Sequence, residues 1–259
     1  MQNRIKAGLT VMKLGAALVS VSLSAQAWAV PVDITDLVGQ YAHYDVVSYD
    51  DPQLFGTMRS QVITYGITAF ALDGDELIET DTFCHAEHTS NLPVRSEVPD
   101  SFTRAIVPRV APVMIGDAGQ GWDLWRPETP TGIGVKFEDS VAEDMPKDAD
   151  DPRIADDDGD GHPGVTVFLR SGPIRGQLYL ARRERFAYEL RVITPDLIQG
   201  VVHDQSEQLV LGSRPFFLSH GRFNPVQNPD LTQSPITLRR LPAGYDCDTM
   251  MAERAKWFP

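Results

Sequence analysis

The chain has 259 residues, 23 of them Lys or Arg and 36 Asp or Glu, for a formal net charge of −13. Such acidity argues against nucleic acid or anionic lipid as a partner, since both need clustered positive charge. The length allows a well-filled core.

The N-terminus reads as a leader. Arg4, Lys6 and Lys13 form a positive region, Leu14 to Leu23 an apolar run, and Ala27-Trp28-Ala29 an A-x-A cleavage site. The run falls short of the roughly 20 apolar residues that span a bilayer, and no later segment offers a transmembrane helix. Residues 1–29 are therefore expected to be a cleaved signal peptide, with the mature protein periplasmic or secreted. Cleavage removes three basic residues and no acidic one, leaving 230 residues with a net charge of −16. Residues 30–259 read as a single β-rich domain. An oxidising destination makes Cys84 and Cys247 a natural disulfide pair.

Gly39 to Ser48 reads as a first strand, ended by the turn signals of Asp50-Asp51-Pro52. In Gln61 to Leu72, Ile63, Tyr65, Ile67, Ala69 and Ala71 alternate with Thr64, Gly66 and Thr68, the period of a half-buried strand. Asp73-Gly74 turns the chain, and Glu76 to Ala86 returns as the hairpin partner. Six prolines then interrupt residues 88–135, so long helices are not expected there. Trp122 and Trp125 are expected to pack on the core.

From Glu138 to Asp160 the chain carries eleven acidic residues against Lys147 and Arg153, a net −9. That is over half of the mature charge in one loop, which like-charge repulsion would hold extended unless a cation gathers it. Val165 to Leu169, Gln177 to Ala181, Phe186 to Val192, Leu197 to His203 and Gln208 to Leu211 then read as consecutive strands with short polar turns. Met251, Ala255 and Phe258 share one face of a short C-terminal helix. The expected fold is all-β: an antiparallel meander closing into a barrel, or a β-sandwich. Gly39-Gln40-Tyr41 is similar to the G-x-W opening of lipocalins, with tyrosine in place of tryptophan. That resemblance implies a barrel with a ligand-carrying interior.

Asp156, Asp158 and Asp160 at alternate positions, followed by Gly161, make a D-x-D-x-D-G run within the acidic loop of residues 138–164. Alternate carboxylates can turn inward on a tight loop, and the glycine allows a sharp reversal around a hard cation. The segment resembles the calcium loops of EF-hands, dockerins and thrombospondin type 3 repeats. The resemblance implies Ca2+ as the bound ion, with Asp156, Asp158 and Asp160 at the first, third and fifth positions and the His162 backbone carbonyl at the seventh. The chain departs from an EF-hand at the twelfth, where Val167 replaces the bidentate glutamate. Missing oxygens would come from water or from Asp148, Asp150 and Asp151, and the expected dissociation constant is on the order of 0.1–1 mM.

Three other groupings carry weaker signals. His85 and His88 beside Cys84 have zinc-like spacing, but a strand would point them to opposite faces. His203, Asp204 and Ser206 supply the letters of a hydrolytic triad without its geometry. Arg182, Arg183 and Arg185 are expected on a turn facing the acidic loop. The sequence thus points to an exported, non-catalytic β protein with a calcium-organised loop and a ligand-binding or structural role. A calcium-stabilised secreted hydrolase and a small-molecule carrier remain as alternatives; the ligand or protein partner is not named by any motif.

Overall fold

The hairpin of β1 (Gly39–Gln53), β2 (Gly56–Asp73) and β3 (Glu76–Ser90) is the spine of a computed structural model that describes residues 33–53, 56–92, 95–116, 121–216 and 224–259. The expected signal peptide lies outside the described residues. β2 and β3 meet at a two-residue turn in which Gly74 takes φ +60°, a conformation that favours glycine. β1 does not stop at Asp50-Asp51-Pro52, as the sequence suggests, but pairs with β2 as far as Gln53. Residues 226–228 supply the partners a turn would have supplied: Asp51 Oδ1 accepts the Val226 N–H at 2.8 Å, and Asn228 Nδ2 donates to Asp50 Oδ2 at 2.9 Å.

The following elements are β4 (Arg95–Glu97), α1 (Asp100–Ala105), β5 (Arg109–Ile115), β6 (Leu124–Arg126), β7 (Thr131–Ile133), β8 (Val165–Ser171), β9 (Ile174–Glu184) and β10 (Phe186–Thr194). β11 (Leu197–Asp204), β12 (Glu207–Arg214), β13 (Pro235–Arg240), α2 (Cys247–Ala252) and α3 (Arg254–Trp257) complete the described chain. The strands join one antiparallel sheet in the order β12-β9-β8-β4-β3-β2-β1-β13-β11-β10-β6-β5, with β7 on β9. Because β3 also pairs with β5, from Leu77 opposite Val113 to Asp81 opposite Arg109, the strands from β3 round to β5 close a partial ring. The all-β, antiparallel expectation is met.

The second half is not one continuous meander. β9 and β10 are separated by Arg185 alone, yet β9 pairs with β7, β8 and β12, while β10 pairs with β6 and β11. Arg185 is the pivot: its N–H donates to Ser206 Oγ and its carbonyl accepts from Gln205, both at 3.0 Å. The short helix α1 is also absent from the sequence reading, which saw prolines there.

One apolar cluster fills the ring from Leu37, Tyr41, Phe70, Leu124, Leu190, Ile198 and Leu238, each almost fully buried. A second lies on the outer face, where Ala42, Tyr65 and Ile67 are covered by Met250 and Phe258 of the C-terminal segment. β2 is therefore buried on both faces from Thr64 to Thr68, not half-buried. The disulfide between Cys84 and Cys247 holds the covering segment in place. A register shift opposite Tyr65 and Gly66 leaves Cys84 outside the pairing, and its side chain joins this outer cluster. Trp122 and Trp125 are half-buried against each other, 6.2 Å between ring centroids, and it is Leu124 and Arg126 that point into the core.

Candidate metal centre

The root of the acidic loop is glycine-dependent. Gly164 has φ +86°, and a Cβ there would lie 2.2 Å from the Leu180 carbonyl of β9. This close approach lets Gly164 and Ala155 exchange a backbone hydrogen bond of 2.9 Å and sets Asp156 beside Gly164 in a parallel bridge. The loop then reverses through Gly159 and Gly161, both at positive φ.

On this frame the carboxylates of Asp156, Asp158 and Asp160 converge, with one oxygen of each within 4.8 Å of the others. Backbone and hydroxyl donors take up most of their oxygens. Asp156 accepts the N–H groups of Asp160 at 3.1 Å and Gly161 at 2.9 Å. Asp160 accepts the His162 N–H at 2.9 Å and the Thr166 hydroxyl at 2.6 Å, and Asp158 Oδ2 accepts the Thr166 N–H at 2.9 Å. Asp158 Oδ1 is buried and has no hydrogen-bond partner among the described residues. Burial, with the charges of Asp160 and Asp156, raises the Asp158 pKa above the ordinary carboxylate value despite the Thr166 hydrogen bond. The Gly161 N–H is the main cause of the opposite shift at Asp156.

Asp157 turns the other way, accepting the Gly134 N–H at 2.7 Å and pairing with Lys136 Nζ at 2.6 Å. The His162 ring stacks on Tyr179 of β9, centroids 4.3 Å apart. Val167 is buried in β8, so the twelfth position has no ligand to offer. Two of the three expected auxiliary carboxylates are engaged elsewhere: Asp151 holds Arg153 at 2.8 Å, and Asp148 caps the Asp150 N–H at 3.1 Å. Arg153 also reaches Glu143 at 3.0 Å, and Met145 is buried with Val135, Ala181 and Leu209. Residues 138–154 are thus anchored by contacts of their own, contrary to the expectation of an extended, self-repelling loop.

No protein-family model, curated protein or solved structure matches the chain.

The other groupings resolve differently. Asp204 accepts hydrogen bonds from Tyr49 at 2.6 Å and from Ser206, while His203 lies against Trp125 and 3.5 Å from Glu189. The triad letters do not assemble. His85 pairs with Asp100 at 2.7 Å, and His88 faces a different environment beside β2 and β8. Arg182 and Arg183 sit in β9, not on a turn. Arg182 is directed at Glu184 and Asp204, and Arg185 pairs with Glu128. Arg183 alone meets the acidic segment, through the Ser140 and Glu143 carbonyls, while pairing with Glu207.

What sequence reading missed is a polar chain inside the ring. His43 Nε2 lies 2.7 Å from Asp45 and its Nδ1 2.8 Å from Thr68 Oγ1, which donates to Asp81 at 2.5 Å. Arg126 bridges Glu79 at 3.1 Å and Asp81 at 3.2 Å, donates to the Phe186 carbonyl, and stacks 4.0 Å from the Tyr188 ring. A signal existed: His43 and Asp45 fall in period two with the apolar Tyr41 and Val47, as Glu79 and Asp81 do with Leu77 and Phe83.

Among the described residues no helix is long and apolar enough to cross a membrane. The disulfide is compatible with an oxidising environment.

Proposed function

We propose that this is an exported, non-catalytic β protein whose loop at residues 155–164 is organised by calcium and whose role is ligand binding or structural. The observation that carries the reading is the convergence of the Asp156, Asp158 and Asp160 carboxylates, together with a buried Asp158 oxygen that has no hydrogen-bond partner among the described residues. An all-oxygen donor set suits a hard cation, and three gathered carboxylates repel one another without one. The His162 carbonyl and water would complete the shell. Export rests on the leader of residues 1–29 and accords with the disulfide.

An ion that binds the folded loop alone stabilises the protein by mass action, about 1.4 kcal/mol at ten times Kd. Thermal melts of the mature protein should therefore rise with millimolar calcium and less with magnesium, and Asp158→Ala with Asp160→Ala should remove the gain. No rise in the unsubstituted protein overturns the calcium reading. Mass spectrometry of the exported protein should find Val30 as its first residue.

A further inference from the structure

Beyond the ring, the sheet curls over a cavity of about 500 Å3. Val62 of β2 and Phe102 of α1 face Val167 of β8, Leu178 and Leu180 of β9, and Val210 of β12 across it. The volume falls within the range that takes a small organic ligand. The register shift at Cys84 helps create it, because β3 turns Glu79 and Asp81 into the packed ring before the shift and Ala86 and His88 onto the cavity wall after it.

The polar end of the cavity, where Tyr49, Arg182 and Glu184 meet, has an imbalance. Its acceptors are served: Glu184 Oε2 takes the Arg109 Nη2 donor at 2.7 Å, and Asp204, just behind, takes Tyr49 at 2.6 Å. Its donors are not. Arg182 Nε lies 3.4 Å from Glu184 Oε1 and Nη2 lies 3.7 Å from Asp204 Oδ2, ion-pair rather than hydrogen-bond separations. Its buried Nε has no hydrogen-bond partner among the described residues. Nε and Nη1 of Arg109, which lies behind the wall with its guanidinium 4.2 Å over the cavity residue Phe83, also have none among the described residues. A buried donor without a well-placed acceptor is costly, so what Arg182 Nε lacks is an acceptor oxygen at hydrogen-bond distance. Two guanidinium groups already balance two carboxylates, so that oxygen need bring no charge.

We propose that this cavity binds a single-chain lipid-like molecule, its alkyl chain between β2 and the β8-β9-β12 strands and an uncharged carbonyl directed at Arg182. The site is separate from the calcium loop, and the test is run in chelator so that the two readings fail independently. The measurement is titration calorimetry on the mature protein with 2-decanone, decanoate and decyltrimethylammonium as probes.

The ketone should bind one to one, at least tenfold more tightly than either charged probe. Leu178→Trp, which fills the cavity, should abolish binding with the melting temperature retained, and Arg182→Met should bring the ketone's affinity down to that of the charged probes. If Arg182→Met fails to fold, Leu178→Trp still decides. Absence of ketone binding, unaltered binding in folded Leu178→Trp, or equal or tighter binding of a charged probe each overturns the proposal.

Discussion

The His43 imidazole meets the Asp45 carboxylate at 2.7 Å, Nε2 to Oδ2, and neither side chain is exposed to solvent. Phe83 and Tyr188 pack edge-on against the ring from either side, 5.8 and 5.7 Å away. Burial alone would strip the imidazole of its proton, but hydrogen bonds and charges from Asp45 and Asp81 outweigh it and raise the pKa to about 9 from an ordinary 6.5.

A pH dependence follows. A histidine raised on folding contributes fully below its unfolded pKa and loses that contribution as pH rises through the folded value, here from 6.5 to about 9. Glu79 acts in the same direction: burial first, then the charge of Asp81, raises it to about 8 from 4.5. Asp81 opposes, since burial raises it but His43 and Arg126 hold it well below the ordinary carboxylate range, so its contribution is lost in strong acid. From these groups, urea unfolding should show greatest stability at about pH 4, a decline that begins as pH rises past 4.5 with Glu79, and a further decline toward pH 9 with His43. His43→Gln should flatten the part of that decline above pH 6.5; an unchanged slope would refute the assignment.

Arg126 is the single guanidinium between Glu79 and Asp81, and all three are buried. Arg126→Met should cost about 3–5 kcal/mol in urea unfolding, because it removes the buried guanidinium that Glu79 and Asp81 share and leaves His43 as the remaining counter-charge of Asp81. Arg126→Lys should recover little of it, since an ammonium cannot serve Glu79, Asp81 and the Phe186 carbonyl from one planar fork. Full recovery by lysine would show that net charge, not geometry, is what matters there.

The disulfide spans a sequence separation of 163 residues. For a loop that long, the chain-entropy estimate is about 5 kcal/mol, an upper figure for most proteins. Reduction, or Cys84→Ser with Cys247→Ser, should lower the melting temperature and release α2 and α3 from Tyr65 and Ile67. Hydrogen exchange should report that release as faster exchange in residues 247–258, with the ring strands less affected. Uniform acceleration across the sheet would mean that the bridge supports the whole fold and not this segment.

Limited proteolysis separates the two parts of the acidic segment. Residues 138–154 are held by Arg153 and Met145 whether or not an ion is present, whereas residues 156–162 depend on three mutually repelling carboxylates. An aspartate-directed protease should cut within 156–162 in chelator, and calcium should slow that cut several-fold without changing cleavage in 138–154. Equal protection of both parts by calcium would show that the ion organises the entire segment.

Local chemistry in this chain was legible from order alone. Strand patterning located β1 to β3 and β8 to β12 but not β4 to β7 or β13, Asp73-Gly74 marked the hairpin, and the D-x-D-x-D-G spacing the three aspartates, because each depends on neighbours a few residues away. The pairing of Cys84 with Cys247 needed no geometry, there being no other cysteine. What the tertiary structure decided is where each face points and what covers it. Alternation marks two faces but not which is inside, and β2 turned out to have a mixed inner face, Thr64 and Thr68 between Val62 and Phe70, and an apolar outer face capped by residues 250–258. A buried carboxylate reads like a solvated one in sequence; Glu79 and Asp81 became core residues because Arg126, 45 residues or more along the chain, arrives between them. The cavity likewise exists because a register shift at Cys84 exchanges the faces of β3, an event set by backbone pairing across strands and invisible along any one of them.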